Sequence, residues 1–223
     1  MENRDCLIIT GGILSEDLIK EYIITHPNAI LICVDGALEL VHKMKLVPDY
    51  IVGDFDTVRP DLIMWYEKQV ALGKIKTQIR RFPPHKDETD THIAVLLAME
   101  VAATNICIMG GIGSRMDHTL ANLHLLLQPL KKGIHAYLQN EHNVIYLKEQ
   151  PFQIEKKATF GDYISLIPFK KTVHRVTLNG FKYNTNAVDF TIEGSLGISN
   201  ELVEETGSVT FTKGIFIVIE AND

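Results

Sequence analysis

The chain has 223 residues, which is room for one large domain or two small ones. Its hydrophobic content of 46% and charged content of 22% are ordinary for a globular protein that buries a full core. The net charge of −6 argues against a nucleic-acid-binding protein, because contact with a phosphate backbone calls for a basic face. The longest apolar stretches, 93–99 and 120–127, are too short to span a bilayer.

The first part of the chain repeats a pattern of strand, loop and helix. Strands are predicted over 6–10, 29–34, 50–52, 75–81, 105–109, 135–139 and 143–147. Helices are predicted over 16–25, 37–44, 61–72, 91–103 and 116–127. The apolar residues of the fourth helix nearly form one stripe, made of Ile93, Leu96, Leu97 and Val101 and interrupted by Glu100. This alternation predicts an α/β fold, with a mostly parallel sheet and helices on both of its faces.

After residue 150 the pattern changes. Short β-type runs are separated by Gly, Asn and Lys, at 152–154, 163–168, 173–178, 181–183, 190–192, 208–211 and 215–219. No helical periodicity is evident, which predicts a smaller all-β sandwich or barrel. We therefore expect an α/β domain over 1–149 and an all-β domain over 150–223.

Acidic residues follow the second and third predicted strands. Asp54 and Asp56 stand two residues apart after the third strand, and Asp35 follows the second. Carboxylates brought together repel each other unless a cation or a proton lies between them. Oxygen ligands without a nearby Cys or His suit Mg²⁺, although an acidic, solvated turn would have the same sequence.

A second acidic group opens the fourth helix. Asp87 and Asp90 flank Thr89 there, and each of the three is also an ordinary residue for a helix N-terminus. Asp35, Asp54 and Asp56 come just after strands, and ligands of such sheets bind outside the carboxyl ends of the strands. Asp87 and Asp90 are expected to join them in the same cleft. We therefore expect one acidic cleft that holds Mg²⁺ and a polyphosphate.

Two glycine-rich loops could bind the phosphates that a metal ion in the acidic cleft would carry. The glycines are Gly11 and Gly12 after the first strand and Gly110, Gly111 and Gly113 after the fifth. Glycine lets backbone N–H groups approach phosphates, the following helix N-terminus favours anions, and Arg115 adds a bidentate donor. Both loops also fit the simpler interpretation of tight turns. Lys86 is interpreted as solvated rather than bound to phosphate, and His118 is the one histidine in a candidate loop.

The cysteines and the N-terminal residues bear on the compartment. Cys6, Cys33 and Cys107 lie far apart within apolar runs and show no metal-binding spacing. The first residues lack the apolar region of a signal peptide. We expect a cytoplasmic protein with reduced, buried thiols.

Five stretches, in this order, resemble the thiamine pyrophosphokinases. They are 34–37 (VDGA), 48–57 (PDYIVGDFDT), 86–90 (KDETD), 110–118 (GGIGSRMDH) and 197–201 (GISNE). The resemblance implies transfer of the β,γ-pyrophosphate of ATP to the hydroxyl of thiamine, with release of AMP. It also implies Mg²⁺, a homodimer with active sites where the subunits meet, and an all-β domain that contributes to thiamine binding and dimerisation.

The resemblance also implies roles for single residues. The metal and pyrophosphate site would contain Asp35, Asp54, Asp56 and Asp90. Asp87, Thr89 and Arg115 would contact ATP, while Asp117, Ser199 and Asn200 match stretches associated with thiamine recognition. The five glycines are assigned to ATP as well, from the backbone argument given above. Either Asp56 or Asp90 could accept the proton of the thiamine hydroxyl. Two positions depart from the family pattern: Thr57 stands where Ser is commoner, and Ser114 where Gly is common.

Two other functions share some of these features. The sequence from Asp54 to Val58 also resembles the loop of haloacid-dehalogenase-type phosphatases, in which Asp54 would be a nucleophile and Asp56 an acid/base. In those enzymes the loop usually follows the first strand, whereas here it follows the third. A non-catalytic nucleotide or thiamine sensor would keep the ligand loops but could dispense with Asp54 and Asp56.

Overall fold

The computed structural model describes residues 4–83 and 87–223, so the prediction for Lys86 lies outside the described residues. The chain forms two compact units, Met1–Glu141 and His142–Asp223. The division precedes the strand at 143–148, which the sequence analysis groups with the first domain. Among the described residues, no helix is both long enough and apolar enough to cross a membrane.

The first unit contains a parallel β-sheet. Its strands are β1 (Asp5–Ile9), β2 (Ile30–Val34), β3 (Tyr50–Gly53), β4 (Gln78–Arg81), β5 (Asn105–Met109) and β6 (His135–Gln139). Their order is β4-β3-β2-β1-β5-β6, and each neighbouring pair runs parallel. Strands β1, β2 and β5 are almost continuously buried and apolar, as expected when both faces of a sheet are covered.

Helices cover the two faces of this sheet. They are α1 (Glu16–Thr25), α2 (Leu38–Lys43), α3 (Pro60–Ala71), α4 (Asp90–Glu100), α5 (Met116–Leu125) and α6 (Leu127–Lys131). Helices α1, α2 and α3 share one core with alternate strand residues such as Leu7, Cys33 and Ile51. Helix α4 packs on strands β1, β2 and β3. The prediction of a mostly parallel sheet between helices is confirmed.

Local differences from the predicted elements have physical causes. The apolar stripe proposed for α4 is not its buried face: Leu96 is 40% exposed, whereas Ala94 and Ala98 are fully buried. Alanine lets a helix approach a sheet closely, and Val95 and Leu97 are buried beside Ala94 and Ala98, so only Leu97 of the predicted stripe belongs to the buried face. Pro129 lies inside α6 rather than after the preceding helix, because the N–H that proline lacks would be unpaired in the first turn anyway.

The second unit is built from antiparallel strands. They are β7 (Asn143–Lys148), β8 (Phe152–Glu155), β9 (Tyr163–Pro168), β10 (Thr172–Asn179), β11 (Thr185–Thr191), β12 (Thr206–Thr210) and β13 (Phe216–Ala221). Strand β13 pairs with β7 and β9, and the other four form a sheet of order β11-β10-β12-β8. The rings of Phe190 and Phe216 lie 5.6 Å apart and join these two groups of strands in one core. The predicted strand at 181–183 is reduced to a single bridge between Phe181 and Leu202.

Candidate functional site

A cleft opens in the first unit where the strand order reverses. Strands β2, β3 and β4 lie on one side of β1, whereas β5 and β6 lie on the other. In open parallel sheets this reversal leaves a crevice at the carboxyl ends of the strands. The cleft has a volume of about 800 Å³ and is lined by the loops after β1, β2, β3 and β5 and by the start of α4. The predicted convergence of these loops is therefore seen in the fold.

Three carboxylates meet in this cleft. Asp35 follows β2, Asp54 follows β3, and Asp90 is the first residue of α4. One carboxylate oxygen from each lies within 4.8 Å of those of the other two. Asp35 is buried, at 6% exposure, and the other two are half-buried. Such close like charges call for a cation or for protons.

The surroundings of Asp35 fit a metal ion. Its Oδ2 accepts a hydrogen bond from the hydroxyl of Thr57. Its Oδ1 is buried and has no hydrogen-bond partner among the residues that the structure describes, which is an unfavourable state for a carboxylate oxygen. Burial, followed by the charges of Asp90, Asp54 and Asp56, raises the pKa of Asp35 against the opposing effect of the Thr57 hydrogen bond. A hard cation such as Mg²⁺ would satisfy the free oxygen and offset the repulsion.

Asp56 is placed differently from the other acids. It is exposed, it does not belong to the group of three, and its backbone N–H donates to Asp54 Oδ1 over 3.1 Å. The neighbouring charge of Asp54 raises the pKa of Asp56. Between the two aspartates, Phe55 adopts a left-handed φ of 64° and buries its ring, with the guanidinium of Arg81 4.9 Å from the ring centroid. A non-glycine residue held in this conformation often marks a functional loop.

The two glycine-rich loops touch main chain to main chain. A Cβ atom added to Gly12 would lie 2.1 Å from the carbonyl oxygen of Gly110. Gly110 has a φ of +79°, and a Cβ added there would lie 2.1 Å from the carbonyl oxygen of Thr10. The N–H of Thr10 also donates to the carbonyl of Met109 over 2.9 Å. Only glycine permits this approach, which leaves a wall of backbone groups facing the cleft.

Three side chains that the sequence analysis missed support these loops. The hydroxyl groups of Thr10 and Thr91 lie 2.8 Å apart, in hydrogen-bonding contact. Asn122 of α5 is buried and donates from Nδ2 to the carbonyl of Gly111 over 2.9 Å. Thr10 could have been predicted from the sequence, because it comes directly after β1. Thr91 and Asn122 lie within helices and belong to no recognisable motif, so the sequence did not indicate their contacts.

The loop before α4 contributes to the cleft only in part. Thr89 lines the cleft and caps α4, since its hydroxyl accepts from the N–H of His92 over 3.2 Å. Glu88 and Asp90 line the cleft as well, whereas Asp87 is exposed outside the lining.

Arg115 and Asp117 form an ion pair beside the glycine loop. Arg115 lines the cleft, and its Nη2 and Nε donate to the Asp117 carboxylate over 2.6 and 3.2 Å. This pairing lowers the pKa of Asp117 and raises that of Arg115. Both side chains are largely exposed, so the pair contributes little to stability. Asp117 is not in the lining, whereas His118 is.

Ser199 and Asn200 belong to the second unit. Asn200 is buried, and its Oδ1 accepts the N–H groups of Tyr183 and Glu201, both over 3.0 Å. Its Nδ2 donates to the carbonyl of Tyr183 over 2.9 Å. Ser199 is exposed and has a left-handed φ of 52°. The Asn200 side chain therefore links the segment at Tyr183 to its own loop by hydrogen bonds. Of Ser199 and Asn200, only Ser199 is exposed to solvent.

Comparison with known proteins gives one consistent result. Residues 24–138 match the family model for the thiamin pyrophosphokinase catalytic domain, and residues 149–216 match that for its vitamin B1 binding domain. The chain is 32% identical to the thiamine pyrophosphokinase of Bacillus subtilis over 218 residues, which cover 97% of this chain and 98% of the relative. The rice thiamine pyrophosphokinase 3 is 30% identical over 181 residues, covering 76% of this chain and 64% of the relative.

Solved structures agree with the sequence relatives. The crystal structure of the Bacillus subtilis thiamine pyrophosphokinase superposes with a TM-score of 0.86 at 33% identity, covering 99% of this chain and 100% of that one. The thiamin pyrophosphokinase of Geobacillus thermodenitrificans has a TM-score of 0.80 at 27% identity, covering 98% and 97% of the two chains.

Proposed function

The chain belongs to the thiamine pyrophosphokinase family, which transfers the β,γ-pyrophosphate of ATP to the hydroxyl of thiamine, and we propose that the acidic cleft of the first unit is where this transfer takes place. The observation that carries the proposal is the meeting of Asp35, Asp54 and Asp90 within 4.8 Å, beside a wall of glycine backbone. Carboxylates that hold a cation and N–H groups that hold phosphate are the two components that phosphoryl-transfer sites need.

The three clustered aspartates are proposed to hold Mg²⁺. Support comes from the unpartnered, buried Oδ1 of Asp35 and from a donor set made only of oxygens. When bound, the ion would neutralise charge on the phosphate oxygens. The carboxylates themselves would attract thiamine, which is a cation.

The glycine loops and Arg115 are proposed to orient the polyphosphate. Attack on the β-phosphorus rather than the γ-phosphorus is a question of position, because both atoms carry similar chemistry. Gly11, Gly12, Gly110, Gly111 and Gly113 line one wall of the cleft. The N–H of Gly113 already donates to the hydroxyl of Thr119 over 3.2 Å, so the N–H groups of the other four are the proposed donors to phosphate. Arg115 would contact the phosphates with the guanidinium that Asp117 holds beside that wall.

Asp56 is the better candidate to accept the proton of the thiamine hydroxyl. Asp90 belongs to the group that would hold the metal, whereas Asp56 stands beside that group and is exposed. The raised pKa of Asp56 favours a proton acceptor. An Asp56→Asn variant should retain Mg²⁺ binding and lose turnover. A variant that loses both to the same degree would make Asp56 a metal ligand instead.

The second unit is proposed to take part in thiamine recognition and in a homodimer. Its match to a vitamin B1 binding model supports the first role. Apolar side chains exposed between residues 183 and 203 support the second, since a second subunit would cover them; they include Ile192, Leu196, Ile198 and Val203. Ser199 would face thiamine, and Asn200 would hold that loop in place. Sedimentation at micromolar concentration tests the dimer, and a clean monomer would contradict it.

The protein is also proposed to act in the cytoplasm. All three cysteines are buried and unpaired, which suits a reducing compartment. Cell fractionation with immunodetection tests this, and recovery only outside the cytoplasm would contradict it.

The activity is tested by incubating the purified protein with ATP, Mg²⁺ and thiamine and resolving the products. Thiamine diphosphate and AMP in equal amounts are expected. ADP with thiamine monophosphate would mean that the γ-phosphorus is attacked. A phosphatase would release inorganic phosphate without any need for thiamine.

A further inference from the structure

Thr57 makes a contact that gives it a part in the metal site. It lies in the loop after β3, three residues beyond Asp54, and lines the cleft. Its hydroxyl donates to Oδ2 of Asp35, which comes from the neighbouring strand β2. The hydrogen bond therefore ties together the two loops that carry the first two aspartates of the cluster.

The two oxygens of Asp35 are in different states because of this bond. Oδ2 accepts the hydrogen bond from Thr57, whereas Oδ1 is buried and has no partner within the described part of the chain. The terminal torsion of an aspartate is soft, so nothing in the side chain itself fixes which oxygen lies where. A threonine hydroxyl has one proton to donate and serves one acceptor with it. The β-branched side chain of threonine also restricts its χ1 torsion, and thereby the position of the donating hydroxyl oxygen.

We propose that Thr57 is a positioning residue for the metal site, which fixes the carboxylate of Asp35 so that Oδ1 stays available to a divalent cation. The inference rests on the metal site of the proposed function, because Asp35, Asp54 and Asp90 must bind the ion for Thr57 to matter. Hydrogen bonds that orient metal ligands typically change metal affinity by about 10- to 100-fold when they are removed.

The test compares three variants with the wild-type protein, using Mn²⁺ alone as the probe. Thr57→Val removes the hydroxyl and keeps the shape, and Thr57→Ser restores it. Thr77→Val is the control for loss of a threonine hydroxyl outside the cleft: Thr77 is buried, whereas Thr57 is exposed, and the Thr77 hydroxyl donates to the carbonyl of Pro48 over 2.7 Å, ahead of strands β3 and β4. Free Mn²⁺ is measured by electron paramagnetic resonance, without nucleotide or thiamine.

Thr57→Val is expected to bind Mn²⁺ about 10-fold or more weakly than the wild-type protein, with Thr57→Ser close to wild type. Thr77→Val should bind Mn²⁺ like the wild-type protein. Thermal unfolding separates positioning from general destabilisation. If the hydroxyl is purely structural, its loss lowers the melting temperature equally with and without Mg²⁺. If it positions the metal ligand, its loss also reduces the increase in melting temperature that Mg²⁺ produces.

A further variant, Asp54→Asn, separates failure of this inference from failure of the metal site. If Asp54→Asn binds Mn²⁺ as well as the wild-type protein does, the metal site itself is wrong, and the inference about Thr57 is overturned with it. If Asp54→Asn loses binding while Thr57→Val binds equally or more tightly than wild type, the site stands and the role of Thr57 is refuted.

Discussion

Replacement of Asp35 by asparagine should make the metal-free protein more stable while removing nearly all of its activity. The amide has the shape of the carboxylate, and its oxygen can still accept the hydrogen bond from Thr57. Its NH₂ group can donate to a neighbouring carboxylate, and the charge beside Asp54 and Asp90 is gone. Sites built for binding often carry such repulsion at a cost in stability.

The expected gain follows from the separation of the charges. Two unit charges 4.8 Å apart repel by roughly 3.5 kcal/mol at an effective dielectric constant of about 20, and by roughly 0.9 kcal/mol in bulk water. Asp35 takes part in two such pairs at the edge of an open cleft, so part of this repulsion is already screened. A gain of about 2 kcal/mol is expected, which raises the melting temperature by roughly 4–8 °C in a protein of this size.

The gain should depend on pH in a defined direction. The pKa of Asp35 is raised in the folded protein, chiefly by burial. The folded protein therefore holds this proton more firmly than the unfolded chain does. Binding of this proton therefore stabilises the folded protein relative to the unfolded chain. The stabilisation is fully present at pH values below the ordinary aspartate pKa of about 4, and it is lost as the pH rises through the raised pKa of Asp35 in the folded protein. The advantage of Asp35→Asn should thus vanish in acid and grow towards neutral pH.

Thermal unfolding followed by circular dichroism, in EDTA and in saturating Mg²⁺, measures both effects. The wild-type protein should gain stability from Mg²⁺, whereas Asp35→Asn should gain little. Turnover of the variant should fall by at least about 100-fold, since removing even an indirect partner of a metal commonly costs 10- to 100-fold. Two results would refute the reasoning: a variant less stable than wild type at neutral pH without metal, or a variant stabilised by Mg²⁺ as much as wild type.

Three further changes test other parts of the site. Asp54→Asn should abolish turnover with an unchanged circular dichroism spectrum, and near-normal activity at saturating Mg²⁺ would contradict the assignment. Gly12→Ala should lower both activity and stability, the latter by about 1–3 kcal/mol in thermal unfolding, because its Cβ would meet the carbonyl of Gly110. Gly113→Ala is the control for stability alone and should leave thermal unfolding unchanged, since its Cβ would have only ordinary contacts at 3.7 Å. Asn200→Ala should destabilise the protein by about 1–3 kcal/mol, because three part-buried backbone groups lose their hydrogen bonds to the buried Asn200 side chain, and weaken thiamine binding more than ATP binding in calorimetry.

The sequence was sufficient to predict the architecture and the position of the cleft. Alternation of strands and helices implies a parallel sheet, and the carboxyl ends of parallel strands share one edge. The meeting of Asp35 and Asp54 was therefore predictable although they are far apart in the chain, because each directly follows a strand and strand position is a local property of the sequence. Asp90 instead begins α4, so its place in the cleft was predicted only from the acidic group at the start of that helix.

The sequence was insufficient where tertiary contacts decide. Helix α4 is apolar on several sides, so its periodicity did not reveal that the alanines, rather than Leu96, face the sheet. Asn200 lies in a motif with a suggested ligand role, yet its side chain is occupied by backbone groups that only the folded chain brings near. Thr57 and Asn122 act through single hydrogen bonds to residues that are distant in the sequence, and the spacing of residues along the chain does not predict such bonds.

The contact between Gly12 and Gly110 affects the entropy of ligand binding. Side chains that become immobilised in a complex lose rotamer freedom, at about 0.5–1.5 kcal/mol each. The loops that contain Gly12 and Gly110 meet through main-chain atoms, and glycine has no side-chain rotamers that binding could restrict. This wall of the cleft is therefore ordered during folding rather than during ligand binding. We therefore expect the wall to keep its shape whether or not a phosphate chain is present. Side chains elsewhere around the cleft can then vary between relatives without altering the surface that the phosphates meet.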